Sequence, residues 1–315
     1  MDSKKYSNFK GIVTQATGSW YDVLHEGKTH KCRIRGRLRL KGARSTSPVV
    51  VGDTVSCEAE DETCETFVIC GVEPRRNYII RRASNLSKES HIIGANIDRA
   101  LVVVTLFSPE TPTEFIDRFL ITCEAYKVPA TILLAKIDLA RGEQPEAVEE
   151  FSAVYRSAGY EVVEVSATQG IGLDRVREIL FGHTTLISGN SGVGKSTLIK
   201  AIEPDLDIRI GEISSSHNKG KHTTTFSTMY PLTHGGYIID TPGIKGFGLL
   251  DIDDDELWHY YPEMMKYGAE CQFYNCTHTH EPKCAVRDAV ERGEIAYSRY
   301  ESYLKILDED DKYRK

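Results

Sequence analysis

The chain has 315 residues, of which 40% are hydrophobic and 27% charged, and its formal net charge is −7 at pH 7. This length exceeds one typical domain, and the composition indicates a folded globular protein and excludes a disordered or fibrous one. The longest apolar stretch, residues 100–107, is too short to cross a bilayer, and the N-terminal MDSKKYSNFK lacks the apolar core of a signal peptide, so a cytoplasmic protein without a membrane partner is expected.

The region up to residue 76 has no helical period and contains short runs of β-forming residues separated by glycine. These runs are FKGIVTQ, WYDVLH, HKCRIRGRLRL, DTVSCEA and TFVICGV. Five short strands of this kind are typical of a small closed barrel. We therefore predict an OB fold, a five-stranded barrel that often binds oligonucleotides.

Cations alternate with other residues along the third of these runs. They are Arg33, Arg35, Arg37, Arg39 and Lys41. A period of two places them on one face of a strand, where like charges repel each other unless an anion lies between them. An RNA backbone is the anion that this pattern favours, and a solvated face of an ordinary barrel is the alternative interpretation.

Residues 77–96 are polar and predict a linker. Between residues 97 and 250, apolar runs such as RALVVVTLF, TILLA, EVVEV, TTLIS and YIID alternate with helical runs such as PTEFIDRFLITCEAYK and LDRVREILFG. This alternation predicts an α/β domain with a mainly parallel, doubly wound sheet, whose site lies in the loops that follow the strands. Residues 251–315 contain a cysteine-rich stretch and helical runs, and they predict a mainly helical third domain.

A phosphate-loop motif follows the run TTLIS. The motif GNSGVGKS occupies residues 189–196 and leads into the helical run TLIKAI, which is the strand–loop–helix context of a nucleotide site. Lys195 is expected to reach the β and γ phosphates, and the Ser196 hydroxyl to coordinate Mg²⁺. A glycine-rich turn without a ligand is the alternative. The predicted binding residues are Gly189, Asn190, Ser191, Gly192, Val193, Gly194, Lys195, Ser196 and Thr197.

The flanking motifs indicate which nucleotide is bound. After YIID, Asp240 is expected to hold Mg²⁺ through water, and the Gly243 amide to sense the γ-phosphate. Upstream, the segment from Ala135 to Asp138 follows the run TILLA, and a carboxylate there accepts two hydrogen bonds from guanine but finds no such donor pair on adenine. Lys136 is expected to lie along the base.

A backbone amide of Ser166 or Ala167, after the run EVVEV, is expected to bind the guanine oxygen. Taken singly, a Lys-x-Asp triplet is weak evidence, since a surface salt bridge explains it equally well. The base-recognition motifs precede the phosphate loop, whereas they follow it in ordinary GTPases. Four motifs at strand ends in this order predict a circularly permuted GTPase.

The cysteine-rich stretch has the ligand spacing of a metal site. Cys271, Cys276, His278 and Cys284 supply three thiolates and one imidazole, a complete tetrahedral set for one structural Zn²⁺. His280 is a competing ligand. Unrelated reduced cysteines are the other interpretation.

The permuted motifs, the N-terminal barrel and the zinc knuckle together resemble the small ribosomal subunit biogenesis GTPase family. The resemblance covers nearly the whole chain, and its motifs include GNSGVGKS, KGKHTTT at residues 219–225, DTPGIKGF at residues 240–247 and CQFYNCTHTHEPKCAV at residues 271–286. It implies GTP hydrolysis during late assembly of the small (30S) ribosomal subunit, stimulated by that particle. We expect a monomer that binds 16S rRNA in the GTP state and is released on hydrolysis.

Two departures from ordinary motifs bear on activity. Ile244 stands where switch GTPases carry a water-orienting glutamine, so His222 is predicted to act with Lys195 in catalysis; a surface or RNA-contacting histidine is the alternative. Ala135 stands where members of the family commonly carry Asn or Thr, and it lacks the polar group that would tie this loop to the phosphate loop. A lower nucleotide affinity is therefore expected.

The loop that contains His222 also predicts a metal ligand. Thr224 is expected to coordinate Mg²⁺, with Thr223 and Thr225 as alternatives. Three other functions stay open at this point: a non-catalytic RNA-binding module stabilised by nucleotide, a phosphate-loop ATPase or kinase, and a large-subunit assembly GTPase.

Overall fold

The structure is a computed structural model that describes residues 8–34, 48–60, 65–82, 90–206, 227–240, 252–253 and 255–313, without the side chains of residues 81–82, 90–91 and 309–313. The chain divides into two compact units. The first comprises Met1–Ala100, Arg177–Ser188 and Glu203–Ile244, and the second comprises Leu101–Val176, Gly189–Ile202 and Lys245–Lys315. Within the described ranges, no helix is both long enough and apolar enough to span a bilayer.

The first unit contains the predicted barrel. Its strands are β1 (Asn8–Thr17), β2 (Trp20–His25), β3 (Lys28–Ile34), β4 (Thr54–Ala59) and β5 (Phe67–Val72). They pair in the order β1-β2-β3-β5-β4, and β4 pairs back with β1, which closes the ring. The prediction of a five-stranded, OB-like barrel is confirmed.

Alternating side chains fill the barrel interior. The buried cluster includes Phe9, Val13, Val23, Cys32 and Phe67, each from a position facing inward on its strand. Tyr21 also belongs to this core, whereas its neighbour Trp20 is 43% exposed.

A strand pair occupies the segment for which the sequence indicated only a polar linker. β6 (Tyr78–Arg82) and β7 (Ser90–Ala95) are antiparallel. Asn77 and Ile97 exchange two hydrogen bonds beyond the open end of this pair, at 2.7 and 2.8 Å, and Asn96 Nδ2 donates to the carbonyl of Gly52 at 2.9 Å. The polar residues of the segment therefore bond the backbone at its ends and tie it to the loop before β4.

Three more strands belong to the first unit. β11 (Thr184–Gly189) runs parallel to β13 (Tyr237–Asp240), and β12 (Thr228–Pro231), which the sequence did not predict, is antiparallel to β13. β12 also pairs with β1 of the barrel, at Gln15 and Thr228.

The second unit contains the other strands of the α/β part. β8 (Arg99–Val104), β9 (Ala130–Ala135) and β10 (Glu161–Val165) lie side by side, with β9 in the middle and β9 and β10 parallel. The helices are α1 (Thr113–Ala125), α2 (Ile137–Glu143), α3 (Pro145–Ser157), α4 (Leu173–Leu180) and α5 (Lys195–Ile202). The strands are buried almost throughout, as expected for a sheet covered by helices.

The C-terminal part is helical, as predicted. A 3₁₀ helix (Leu257–Tyr260) precedes α6 (Pro262–Gly268), α7 (Ala285–Glu291) and α8 (Tyr297–Tyr313). Leu257, Tyr261, Val286 and Tyr303 pack into one core with Ile121 of α1. The C-terminal helices therefore share their core with the first helix of the α/β part.

Candidate nucleotide site and metal centre

The two base-recognition segments leave the sheet at the same edge. Ala135 and Val165 are partners in the parallel register of β9 and β10, so Lys136 and Ser166 follow the strands at the same level. Lys136 has a left-handed φ of 56°, and its carbonyl accepts a hydrogen bond from the amide of Ala140, which starts α2 directly after the strand. The motif residues are therefore fixed by backbone geometry.

Asp138 lies in the first turn of α2 and is half-buried. An ion pair holds this short helix against β10, since Arg141 donates to the Glu164 carboxylate at 2.6 and 3.1 Å. The structure thus places the predicted guanine-reading carboxylate at the strand edge, beside the turn that follows β10.

The turn after β10 is closed by its own hydrogen bonds. Ser166 and Ile171 exchange backbone hydrogen bonds at 3.0 and 3.1 Å. The buried Ser166 hydroxyl accepts a hydrogen bond from the Gln169 amide at 3.2 Å. The side chain of Ser166 therefore shapes the turn, and Ala167, which is half-buried, presents only backbone polar groups to a ligand.

The phosphate loop connects β11 to α5. A β-carbon at Gly189 would lie 2.6 Å from the carbonyl oxygen of Val103, so only glycine allows the loop to pass this close to β8. Gly194 has a φ of 94°, and Val193 is fully buried and anchors the loop. Lys195 is buried at the start of α5. Ser191, Gly192 and Thr197 are exposed, and Asn190 and Ser196 are half-buried.

A loop that belongs to none of the predicted motifs contacts the phosphate loop. Residues 105–112, here called the 105–112 loop, connect β8 to α1. The Lys136 ammonium donates to the carbonyl of Ser108 at 2.5 Å, and a β-carbon at Gly192 would lie 3.3 Å from Cδ of Pro109. The only sequence signal for this contact is a proline-rich turn, SPETP, after a buried strand.

The γ-phosphate half of the predicted site is described in part. Asp240 is buried at the end of β13, where its register partner is Ile187 of β11. The other predicted residues, Gly243, Ile244, His222, Thr223, Thr224 and Thr225, lie outside the described residues.

One of the predicted RNA-contacting cations is described. Arg33 is exposed on β3 next to the buried Cys32, which agrees with the alternation that the sequence predicted. Its guanidinium donates to Glu60 at 2.9 Å and lies 5.9 Å from the ring centroid of Trp20. Arg35, Arg37, Arg39 and Lys41 lie outside the described residues.

Four candidate metal ligands converge in the C-terminal part. The ligand atoms of Cys271, Cys276, His278 and Cys284 all lie within 4.8 Å of one another. His278 Nδ1 is 3.6 Å from the Cys271 sulfur and 3.3 Å from the Cys284 sulfur. This donor set fits a four-coordinate zinc site with no open position. His280 stands apart from this group, with its Nδ1 2.8 Å from the Thr279 hydroxyl.

Hydrogen bonds shape the knuckle around these ligands. The Glu281 carboxylate accepts from the amides of Thr277 and Thr279 at 2.8 and 3.0 Å. Burial opposes ionisation of Glu281, but hydrogen bonds from the Thr277 hydroxyl, at 2.6 Å, and from backbone amides, that of Thr277 first, outweigh it and lower the pKa of Glu281 to about 2. Tyr300 of α8 donates to the carbonyl of His278 at 2.7 Å, so α8 also fixes the backbone at a ligand.

A buried ion cluster joins helices of the second unit, and no motif in the sequence predicts it. Arg299 of α8 is 2% exposed and donates to Glu263 of α6 at 2.7 Å and to Asp117 of α1. Its guanidinium lies 4.7 Å from the ring centroid of Tyr261. Burial opposes the charge, but both carboxylates hold the pKa of Arg299 well above its ordinary value. The cluster therefore joins three helices through one cation.

Two family models match the chain. One, described as RsgA GTPase, matches residues 72–250, and the other, described as RsgA N-terminal domain, matches residues 10–65. Together they span the barrel and the α/β part, so the match includes both the cation-bearing strand and the phosphate loop.

Two related sequences are similar to this chain over nearly their whole length. The chain is 53% identical over 308 residues to the small ribosomal subunit biogenesis GTPase RsgA of Phocaeicola vulgatus, which covers 97% of this chain and 99% of that protein. It is 50% identical over 308 residues to the protein of the same name from Christiangramia forsetii, with 97% and 98% covered.

Two solved structures share the fold. YjeQ from Thermotoga maritima has a TM-score of 0.76 at 35% identity, covering 96% of this chain and 98% of that one. YloQ, which is described as a circularly permuted GTPase, has a TM-score of 0.72 at 29% identity, with 98% and 97% covered. The likeness therefore extends from the barrel through the helical C-terminal part.

Proposed function

Because this chain belongs to the family of small ribosomal subunit biogenesis GTPases, we propose that it hydrolyses GTP during late assembly of the 30S ribosomal subunit. In this proposal it binds 16S rRNA in the GTP state and is released on hydrolysis. The observation that carries the proposal is the meeting of the phosphate loop with the base-recognition segment: a β-carbon at Gly194 would lie 3.9 Å from Cε of Lys136.

Different residues would bind the base, the phosphates and the Mg²⁺ ion of the nucleotide. Asp138 would accept the two guanine donors, with a backbone amide at Ser166 or Ala167 on the guanine oxygen, and the phosphate-loop amides with Lys195 would neutralise the phosphates. Ser196, Asp240 and Thr224 would hold the Mg²⁺ that offsets charge on the transferred phosphate. His222 would orient or deprotonate the attacking water, since Ile244 has no polar atom to do so.

The cysteine cluster would hold one structural Zn²⁺. Three sulfurs and one imidazole nitrogen complete its tetrahedral coordination, so no position remains for a substrate. The ion would stabilise the knuckle between α6 and α7, a segment too short to build a core of its own.

The barrel and the zinc-binding region would both contact the ribosomal particle. Arg33, which is exposed on β3, and the cations that follow it in the sequence suit an RNA backbone, and salt would weaken that contact. By role, we assign residues 1–76 to the RNA-binding barrel, 77–96 to the linker, 97–250 to the GTPase domain and 251–315 to the zinc-binding domain. We propose that the protein acts as a monomer.

GTP turnover with ribosomal particles tests the proposal. We expect slow turnover by the protein alone and at least roughly tenfold faster turnover with 30S subunits, because the particle supplies or orders groups at the transition state. 50S subunits and ATP serve as matched comparisons, and K195A should abolish turnover in every arm. Equal stimulation by 50S subunits would favour a large-subunit role, and turnover unchanged by either particle would refute the proposal.

A further inference from the structure

We propose that the 105–112 loop is a nucleotide-positioning element, which holds Lys136 and the phosphate loop in the geometry that binds GTP and GDP. The inference rests on the proposed function, because it assumes that nucleotide binds at these residues. Residues 105–112 belong to none of the nucleotide-binding motifs. In effect, the loop supplies the link that Ala135, with only a methyl group, cannot make.

The loop touches both halves of the site. The carbonyl of Ser108 accepts the hydrogen bond from the Lys136 ammonium, at 2.5 Å. The next residue, Pro109, lies against the phosphate loop, since a β-carbon at Gly192 would be 3.3 Å from its Cδ. Two successive residues therefore connect the base-recognition segment with the phosphate loop.

The loop has its own internal support. The Thr105 hydroxyl donates to the carbonyl of Pro109 at 2.5 Å, and the Thr111 hydroxyl accepts from the Thr105 amide at 3.0 Å. The Thr111 amide donates in turn to the Thr105 carbonyl at 2.9 Å. Both threonines are buried, at 2% and 6% exposed. They close the neck of the loop and fix where Ser108 and Pro109 point.

Anchoring the lysine matters for affinity. A long ammonium side chain loses much conformational freedom when it is immobilised, and a contact formed before binding removes that loss from the binding step. Lys136 already lies beside Gly194, where its stem would meet the nucleotide. A loosened loop should therefore weaken binding without changing the chemical step.

Substitutions at the neck of the loop test this inference. T105V removes the hydroxyl that donates to Pro109 while keeping the shape of the side chain. We expect T105V to raise the Kd for fluorescent GDP and the KM for GTP by roughly tenfold, with kcat on 30S subunits within twofold of the wild type. T131V is the matched control, because Thr131 is another buried threonine, at the opposite end of β9. It should bind GDP as the wild type does.

A second substitution separates positioning from general damage. A135N gives the end of β9 an amide that can hydrogen-bond to neighbouring backbone, so we expect it to restore most of the affinity lost in T105V. Thermal unfolding of each variant confirms that it is folded. The inference would be overturned if the T105V protein bound GDP as tightly as the wild type. It would also be overturned if adding A135N to T105V did not restore GDP binding. Wild-type protein that fails to bind GDP would instead refute the proposed function.

Discussion

Lys136 is the residue at which the parts of the nucleotide site meet. Its left-handed backbone ends β9 and begins α2, so Asp138 falls in the first turn of a helix, where a carboxylate is favoured by the helix dipole. Its ammonium reaches Ser108, and its stem lies beside Gly194. The residue types of this motif were readable from the sequence. The partner of the lysine was not, because a backbone carbonyl carries no residue-type signal.

Base selection by Asp138 is tested with D138N. The amide replaces one acceptor by a donor, so guanine should bind at least roughly 100-fold more weakly, from the loss of charge-assisted hydrogen bonds. Xanthine has an oxygen where guanine has its amine, so the binding of xanthosine diphosphate should improve. D174N, in the exposed first turn of α4, is the control and should leave both affinities unchanged. Equal weakening of both nucleotides would show that Asp138 does not read the base.

Zinc ligation is tested by comparing C276S with H280A. The C276S chain should lose the single equivalent of zinc on dialysis and unfold at a lower temperature, because the ion stabilises the folded knuckle. The H280A chain should retain its zinc, since the structure places His280 outside the cluster. Metal content by mass spectrometry decides between these residues, and retention of zinc by C276S would contradict the assignment.

Helix α8 contacts both the buried ion cluster and the knuckle. Arg299 joins Asp117 and Glu263, while the neighbouring Tyr300 and Tyr303 donate to backbone carbonyls of the knuckle, at 2.7 and 2.6 Å. Periodicity in the sequence predicts which face of a helix is buried, but not which helix covers it. The sequence therefore does not predict that α1, α6 and α8 meet at one ion cluster.

Removing the cation of this cluster should be costly. R299M leaves two buried carboxylates without their partner, which should lower the free energy of unfolding by roughly 3–5 kcal/mol. R292M removes an arginine from the exposed pair with Glu294 and should leave the free energy of unfolding nearly unchanged, because solvent screens such a pair. Urea unfolding measures both. The triple variant R299M/D117N/E263Q replaces the carboxylates as well, and it should recover part of the lost free energy of unfolding. If it recovers none, the loss in R299M is not electrostatic in origin.

The start of β8 carries a pH-sensitive contact in the first unit. Burial opposes ionisation of Asp98, but the amide of Thr184 and the guanidinium of Arg76 outweigh it and hold the pKa of this carboxyl below its ordinary value of 3.8. A carboxyl with a lowered pKa stabilises the fold above its unfolded value, and this contribution is lost as the pH falls through the folded value.

D98N should therefore be less stable than the wild type by roughly 1 kcal/mol at pH 7, since the loss comprises one partly exposed ion pair and one weakened hydrogen bond. The difference should shrink below pH 3.8, as the wild-type carboxyl gains its proton. Urea unfolding of both proteins from pH 7 to pH 3 provides the measurement. A gap that stays constant over this range would show that the charge of Asp98 does not contribute.

The elements that the sequence did not predict are short or have polar flanks. β12 has four residues, too few for a period to be recognised, and α2 has seven and follows a strand without a break. β6 and β7 were missed because their polar flanks resemble a linker, although Asn77 and Asn96 bond backbone groups. The long, alternating strands β1–β5 and the buried strands β8–β11 gave clear patterns and were predicted.

At the scale of the whole molecule, a nucleotide site depends less on the order of its motifs along the chain than on the edge of the sheet at which the motifs lie. Strand ends in an α/β sheet collect loops from distant parts of the sequence, so a permuted chain can rebuild the same site. The metal cluster was equally predictable, because ligand spacing over 14 residues, from 271 to 284, is a local property. The 105–112 loop was not, because it acts through backbone and packing.

Asp117 and Arg299 are 182 positions apart, yet they form one buried contact. A gene fragment that encodes only the last third of the chain would carry the arginine and leave its aspartate behind. Exchange of the zinc-binding region with a relative that lacks an acidic residue at the position of Asp117 would leave Arg299 with Glu263 as its remaining carboxylate partner. The first helix of the α/β part and the last helix of the chain should therefore be inherited together. Recombination between genes of this family should seldom separate them.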